Sequence, residues 1–195
     1  MNLTCRRVML FTNSRGDAEV IPSDFTQHKT AYIMAATGHA VSFGELEAHS
    51  NQIAHLFRSC GLQRGDSVAL CLENHSFFFK ICWAAHRCGL YYTAISYRLQ
   101  PEEVEYIVND CGAKVLITSH ALRDTFTRFR PNLTSSPHCF MLDGAVEGAT
   151  PLEEAMAGLP SQPIDDQSYG MSLLYSSGTT GRPKGILHAH RWVIT

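Results

Sequence analysis

The sequence predicts an α/β fold, a mainly parallel β-sheet with helices on both faces. Three observations predict it. Short apolar segments alternate with segments whose apolar residues recur at helical spacing. The links between them are short, as strand–helix–strand crossovers require. The apolar segments, such as "SVALCL" and "KVLIT", lack the in–out alternation of a sheet with one wet face, so burial on both faces is expected.

The elements come in order along the chain. "AYIMAATGHAVSF" reads as two short strands joined by a Thr37-Gly38 turn. Ser42 and Glu45 have capping-box spacing, so a helix starts there. Leu46, Ile53, Ala54 and Phe57 share one face of it, and Gly61 is placed to end it. "SVALCL" is a strand. "NHSFFFKICWAAHRCG" is a helix with Asn74 as cap and Gly89 as stop, and Phe77, Phe78, Phe79 and Trp83 are expected in the core. "YYTAIS" is the next strand, with Tyr91 and Tyr92 at its buried start. In "PEEVEYIVNDCG", Pro101 stands in the first turn and two glutamates at the positive helix end. Val104, Ile107, Val108 and Cys111 form its apolar stripe, and Gly112 closes it. "KVLIT" is a strand, residues 122–129 a polar helix and "HCFML" a further strand. Residues 143–167, rich in Gly, Pro, Ala and acids, read as a surface excursion. "YGMSLLYSS" resumes the sheet.

The 195 residues suit one domain or a large part of a bigger one. At 45% hydrophobic and 17% charged, the chain can bury a core. A net charge of -2 gives no electrostatic footprint for nucleic acid. The seven cysteines form no C-x-x-C pair and several fall in apolar runs, as expected for reduced, buried thiols in a cytoplasmic protein. The most apolar region, 77–95, is broken by Lys80, His86 and Arg87, so no transmembrane segment is expected.

The stretch "YSSGTTGRPKG", Tyr175 to Gly185, carries the chemistry. Gly178, Gly181 and Gly185 let the backbone approach a ligand closely. Ser176, Ser177, Thr179 and Thr180 add hydroxyl donors, and Lys184 adds a mobile positive charge. Such a loop suits a polyanion such as a nucleotide's phosphates, beyond the carboxyl end of a parallel strand. A solvated hairpin with one surface lysine has the same composition, and the residue types alone leave both readings open. The pattern G-x-x-x-x-G-K-[ST] fails, because Pro183 stands where glycine is needed and Gly185 follows Lys184. No G-x-G-x-x-G exists either.

The whole string resembles the phosphate-binding motif of the adenylate-forming (AMP-binding) superfamily, which includes acyl- and aryl-CoA synthetases, peptide-synthetase adenylation domains and luciferases. Its pattern is an aromatic residue followed by [ST]-S-G-[ST]-T-G-x-P-K-G, and Tyr175 to Gly185 match every defined position. His190 falls where the family often has histidine, whereas Ala189 departs from the usual Thr or Ser. Two upstream blocks, "AVSFGELEAHSNQIAHLFRSCGLQRGDSVAL" and "WAAHRCGLYYTAISYRLQPEEVEYIVNDCGAKVLITS", resemble the family in the right order, the second in an acyl-CoA synthetase form.

The resemblance implies the N-terminal part of the large domain of an adenylate-forming enzyme. Residues 1–28 would be a tail and lead-in, and 29–195 an AMP-binding domain incomplete at its C-terminal end. It implies an AMP-forming acid–thiol ligase that uses ATP, Mg2+ and coenzyme A to activate a carboxylic acid, with a fatty acid favoured. Ser176, Ser177, Gly178, Thr179, Thr180, Gly181 and Lys184 would bind ATP, with Thr180 and Lys184 assisting the reaction. No metal ligand is expected: His188 and His190 form H-x-H without a third partner nearby. Arg182 stands at a variable position and is expected in solvent. The family's later motifs (an aromatic-Gly-x-Thr-Glu block, a ribose-binding aspartate, a hinge and a C-terminal lysine) are not in this sequence. "HRWVIT" reads as a helix beginning. The chain alone is therefore expected to be inactive. A domain loading a carrier protein and a non-catalytic nucleotide-binding remnant are the alternatives.

Overall fold

The computed structural model describes residues 9–12, 18–21, 27–135, 137–176 and 183–187. The chain divides into two compact units, residues 1–48 and 49–195. In the first, β1 (Met9–Thr12) pairs antiparallel with β2 (Ala18–Ile21). β3 (Thr30–Ile33) and β4 (Ala40–Ser42) form the expected hairpin. Its turn is closed by Gly38, whose φ of +70° is open to glycine and strained for other residues. The helix α1 (Phe43–Ser59) then begins as its spacing requires, with the Glu45 N–H donating to Ser42 Oγ at 3.1 Å. The division between the units falls within α1.

The second unit is built on a seven-stranded sheet. Its strands are β5 (Ser67–Leu72), β6 (Tyr91–Ser96), β7 (Ala113–Ser119), β8 (His138–Leu142), β9 (Thr150–Pro151), β10 (Met171–Ser176) and β11 (Lys184–Leu187). The spatial order is β11-β10-β6-β5-β7-β8-β9, parallel throughout except for β11. The helices are α2 (Phe77–Arg87), α3 (Pro101–Asp110), α4 (Arg123–Phe129) and α5 (Leu152–Met156).

Burial on two faces explains the strands' composition. Val68, Leu70, Val115, Ile117, Phe140 and Leu142 face one way, into a core with Ile53 and Phe57 of α1 and Ile81, Ala84 and Ala85 of α2. Ala69, Cys71, Leu116 and Met141 face the other way, against Val104, Ile107 and Val108 of α3 and Phe126 and Phe129 of α4. Successive residues of one strand thus feed opposite cores, and most positions are apolar. Each fully buried aliphatic or aromatic side chain contributes about 1.5–3 kcal/mol. The described cysteines are free thiols. Burial pushes Cys71 and Cys82 up to about 12 and Cys88 to about 11, so they stay protonated and inert.

Several local expectations are corrected. α2 starts at Phe77 after Ser76, not at Asn74. His75 substitutes for the cap, its Nδ1 accepting the Phe77 N–H at 3.1 Å. Phe77 and Phe78 pack on the core, but Phe79 and Trp83 are exposed, because 11 residues make three turns and only one stripe can face the sheet. Tyr91 and Tyr92 are half-buried rather than buried. Residues 143–167 are more than a surface excursion: β9 extends the sheet, and Leu152, Met156 and Ile164 are buried in the first core. The polar face of α1 grips the segment after α5. Asn51 Nδ2 donates to Ser161 O at 2.7 Å, Gln52 Nε2 to Leu159 O at 3.2 Å, and Arg58 pairs with Asp166 at 2.9 Å. These long-range contacts leave no periodic trace in the sequence.

Just before β5, Asp66 Oδ2 accepts the Gln63 N–H at 2.8 Å and meets the Lys114 ammonium at 2.8 Å. Burial alone would raise the Asp66 carboxyl, but the Gln63 N–H and Lys114 outweigh it and hold the group below its ordinary 3.8. A depressed carboxylate contributes stability above its unfolded value and loses it as pH falls through the folded one. Water screens this surface pair, so Asp66→Asn is expected to cost only about 0.5–1 kcal/mol at pH 7. At pH 2 the cost is expected to be smaller, because the stability of a depressed carboxylate is lost as pH falls. Thermal melts at the two pH values check it.

Candidate functional site

The parallel strands all point their carboxyl ends to one edge, where ligands of such sheets bind. Two groups of polar residues gather there. The first lies beyond β5, β7 and β8. Ser119 Oγ donates to Glu73 Oε2 at 2.5 Å, and His75 Nε2 lies 2.9 Å from Asp143 Oδ2. Glu73, His75 and Asp143 are close enough together to surround a cation. The proton arrangement opposes that use. The Phe77 N–H occupies the lone pair of His75 Nδ1, so the ring proton sits on Nε2 and is donated to Asp143. A metal at Nε2 would displace that proton to a nitrogen already facing a donor. The group instead ties the β5–α2 link to the end of β8.

The second group is the hairpin of β10 and β11. β10 lies parallel to β6 and antiparallel to β11, in register from Leu173↔Leu187 to Ser176↔Lys184. Among the sequence-predicted site residues, Ser176 ends β10 and Lys184 begins β11 directly opposite it, both exposed. The hairpin thus brings one hydroxyl and the cation to the same end of the two strands. Ser177, Gly178, Thr179, Thr180 and Gly181, which join them, lie outside the described residues, as do Arg182, His188, His190 and the rest of "HRWVIT".

The hairpin's base is closely fitted. Tyr175 is paired with Gly185, and a Cβ on Gly185 would come within 3.2 Å of the Tyr175 ring. The motif's last glycine therefore makes room for its first aromatic residue. The Tyr175 hydroxyl donates to Asp110 Oδ2, at the end of α3, at 2.6 Å. Burial and then the Asp110 carboxylate push the Tyr175 phenol well above its ordinary range, so it stays a donor. At the start of β10, Gly170 is buried, its N–H donating to His86 O at 2.6 Å.

Sequence reasoning missed the strand β11, the Tyr175 partner Asp110 and the packing of Gly170. The pairing of 175 with 110 crosses 65 positions and has no spacing signal. The strand could have been found: Ile186 and Leu187 follow a turn-rich stretch that itself follows an apolar run.

Comparison with known proteins places these features in context. The sequence profile of a family described as AMP-binding enzyme matches residues 23–195. The long-chain-fatty-acid–CoA ligase FadD13 of Mycobacterium tuberculosis is 30% identical over 167 residues, covering 84% of this chain and 32% of the relative. The 3-hydroxybenzoate–CoA ligase of Aromatoleum sp. (strain CIB) is 27% identical over 159 residues, 80% of this chain and 30% of that one. Among solved structures, the anthranilate CoA ligase AuaEII in complex with anthranoyl-AMP superposes with a TM-score of 0.77 at 29% identity, over 85% of this chain and 32% of that chain. The chain therefore spans about a third of the length of the relatives it matches. Among the described residues, no helix is long and apolar enough to cross a membrane.

Proposed function

The chain belongs to the AMP-binding enzyme family, of the acyl-CoA ligase type, and from that premise we propose that it supplies the ATP-binding loop of an AMP-forming acid–CoA ligase. The observation that carries the proposal is the hairpin, which sets Lys184 opposite Ser176 at the carboxyl edge of a parallel sheet, with the glycine-threonine stretch between them.

A carboxylate is a poor electrophile, because its charge repels nucleophiles. In the proposed reaction a carboxylate oxygen attacks the α-phosphorus of ATP. The bond from that phosphorus to the bridging oxygen breaks, and pyrophosphate leaves. The thiol sulfur of coenzyme A then attacks the acyl carbon, and AMP departs. Charge and position are the main needs of the first step. The hydroxyls of Ser176, Ser177, Thr179 and Thr180 and the loop's N–H groups hold the β- and γ-phosphates. Gly178 and Gly181 let the backbone close on them, and Lys184 offsets the charge that collects on the departing pyrophosphate. ATP arrives as its magnesium chelate, so Mg2+ enters with the substrate.

The acid is read as a fatty acid, supported by the likeness to the FadD13 ligase. The similar ligases of 3-hydroxybenzoate and anthranilate make aromatic acids the competing class. Acid-dependent exchange of labelled pyrophosphate into ATP tests both in the protein that carries this chain. Exchange with a long-chain fatty acid exceeding that with benzoates is expected. Exchange with benzoates alone would replace the substrate, and none with any acid would reject the activity. The 195 residues by themselves are expected to bind MgATP without exchange, since they correspond to about a third of the relatives.

A further inference from the structure

The start of α2 is held by one side chain with two bonds. His75 lies in the link between β5 and α2, two residues ahead of Phe77, where the helix begins. Ser76 gives the helix no side-chain cap bond. His75 Nδ1 instead accepts the Phe77 N–H at 3.1 Å. Its Nε2 lies 2.9 Å from Asp143 Oδ2, in the loop just after β8. The first bond needs a lone pair on Nδ1, and the second needs a proton on Nε2. Only the neutral ring with its proton on Nε2 makes both.

Charged and titratable groups reach this corner from several elements. The His75 side chain is 12% exposed and that of Asp143 62%, so the pair meets water on the Asp143 side. Glu73, on the same link as His75, has a carboxylate oxygen within 4.8 Å of the nearest atoms of His75 and Asp143. That carboxylate takes the Ser119 hydroxyl from the end of β7 at 2.5 Å. Glu153 of α5 accepts the Asp143 N–H at 3.0 Å, and a Cβ on the next residue, Gly144, would meet the His120 ring at 2.8 Å. Behind the cap, the Lys80 ammonium of α2 sits 4.3 Å from the centre of the Phe77 ring, and the His49 ring of α1 stacks on it at 5.5 Å.

A proton added to this ring must go to Nδ1, the nitrogen that faces the Phe77 N–H. Two donors then point at each other, and the cap bond is lost. On the other side, the bond from Nε2–H to Asp143 becomes charge-assisted and strengthens. One proton thus drives the two bonds in opposite senses. We propose that His75 is a proton-operated catch at the start of α2. Neutral, it caps the helix and ties it to the loop after β8; protonated, it keeps the tie to the loop and releases the first turn. Order in that turn is present while the ring is neutral and is lost as pH falls through the range in which an imidazole takes up a proton. The released turn carries Phe77, whose ring packs against the first core, so the catch sets the order of that corner of the core as well.

The test is an NMR titration of the folded chain from about pH 8 to about pH 5, across the imidazole range. It follows the His75 ring carbons and the backbone amides of α2 in the wild type, His75→Asn and Asp143→Asn. The Phe77 amide signal is expected to move upfield with the same midpoint as the ring. Its protection against exchange, corrected for the intrinsic pH dependence, should fall about five- to tenfold, as the loss of one hydrogen bond implies. The amides of Ile81, Ala84 and Ala85, buried further along the helix, should stay in place, which separates release of the first turn from melting of the chain. In His75→Asn the side-chain oxygen accepts the Phe77 N–H at every pH, so the Phe77 signal should no longer titrate. Asp143→Asn removes a carboxylate that balances the charged ring, so ring and amide should titrate together at lower pH. A Phe77 amide that ignores the ring's titration, that still titrates in His75→Asn, or that moves only along with the mid-helix amides would overturn the catch. So would a midpoint unmoved by Asp143→Asn, or a ring that stays neutral throughout.

Discussion

Lys184→Ala is expected to weaken MgATP binding about 10- to 100-fold while leaving the melting temperature within about 2 °C. A hydrogen bond to a charged group is worth about 1.5–3 kcal/mol, and this range comes from it. The side chain is exposed at the start of β11, so its truncation opens no cavity. Its backbone stays paired with Ser176 whatever the side chain. Affinity and stability should therefore part company. Thr180→Ala, which removes a hydroxyl rather than a charge, is expected to cost less, about 3- to 10-fold. Raising salt should narrow the gap between Lys184→Ala and the wild type, because an exposed cation acts through a screened field. Calorimetric titration of MgATP at two salt concentrations checks all three expectations. Equal affinity of both variants and the wild type would remove the loop from the site.

Gly170→Ala is expected to destabilise the second unit by about 3 kcal/mol, well above what a single methyl usually does. A Cβ at this position would lie 2.3 Å from Leu90 O, 2.7 Å from Ala85 O and 2.8 Å from Leu90 N. All three are backbone atoms at the junction of α2 and β6, so no side chain can swing aside. The same junction is fixed by hydrogen bonds from Gly170 N–H to His86 O and from Met171 N–H to Leu90 O, at 2.6 and 3.0 Å. The extra methyl must push β10 away from β6 next to the two residue pairs of their ladder. For a unit of this size the cost corresponds to a fall in melting temperature of roughly 6–12 °C. Because β10 carries the hairpin, MgATP affinity should fall as well, in contrast to the clean separation at Lys184. Melting and titration of the same variant check the pair of effects.

The sheet was legible because its signals are local. Non-alternating runs such as Val68–Leu72 state two-sided burial, and Gly61, Gly89 and Gly112 stop helices with φ of +78°, +68° and +60°. The loop is read from residue types alone, because phosphate binding needs glycines, hydroxyls and a cation within a few residues of one another, and that reading is the proposal. What stayed hidden is non-local. Asn51 and Gln52 on α1 hold the backbone of 159–161, and nothing in either segment names the other. Phe79 and Trp83 looked like core because residue type says nothing about which face of a short helix meets the sheet. Tyr175 was read only as a motif position. Its contact with Asp110 depends on α3 ending beside β10, a matter of topology.

The central proposal is that the stretch between β10 and β11 binds a triphosphate. Its most direct test tracks the backbone amide resonances of residues 176–184 of the folded chain as MgATP is added. The account predicts that they shift together and saturate with a single dissociation constant, and that Lys184→Ala moves that constant upward. Resonances that stay in place while MgATP saturates the chain elsewhere, or a chain that takes up no MgATP at all, would contradict it.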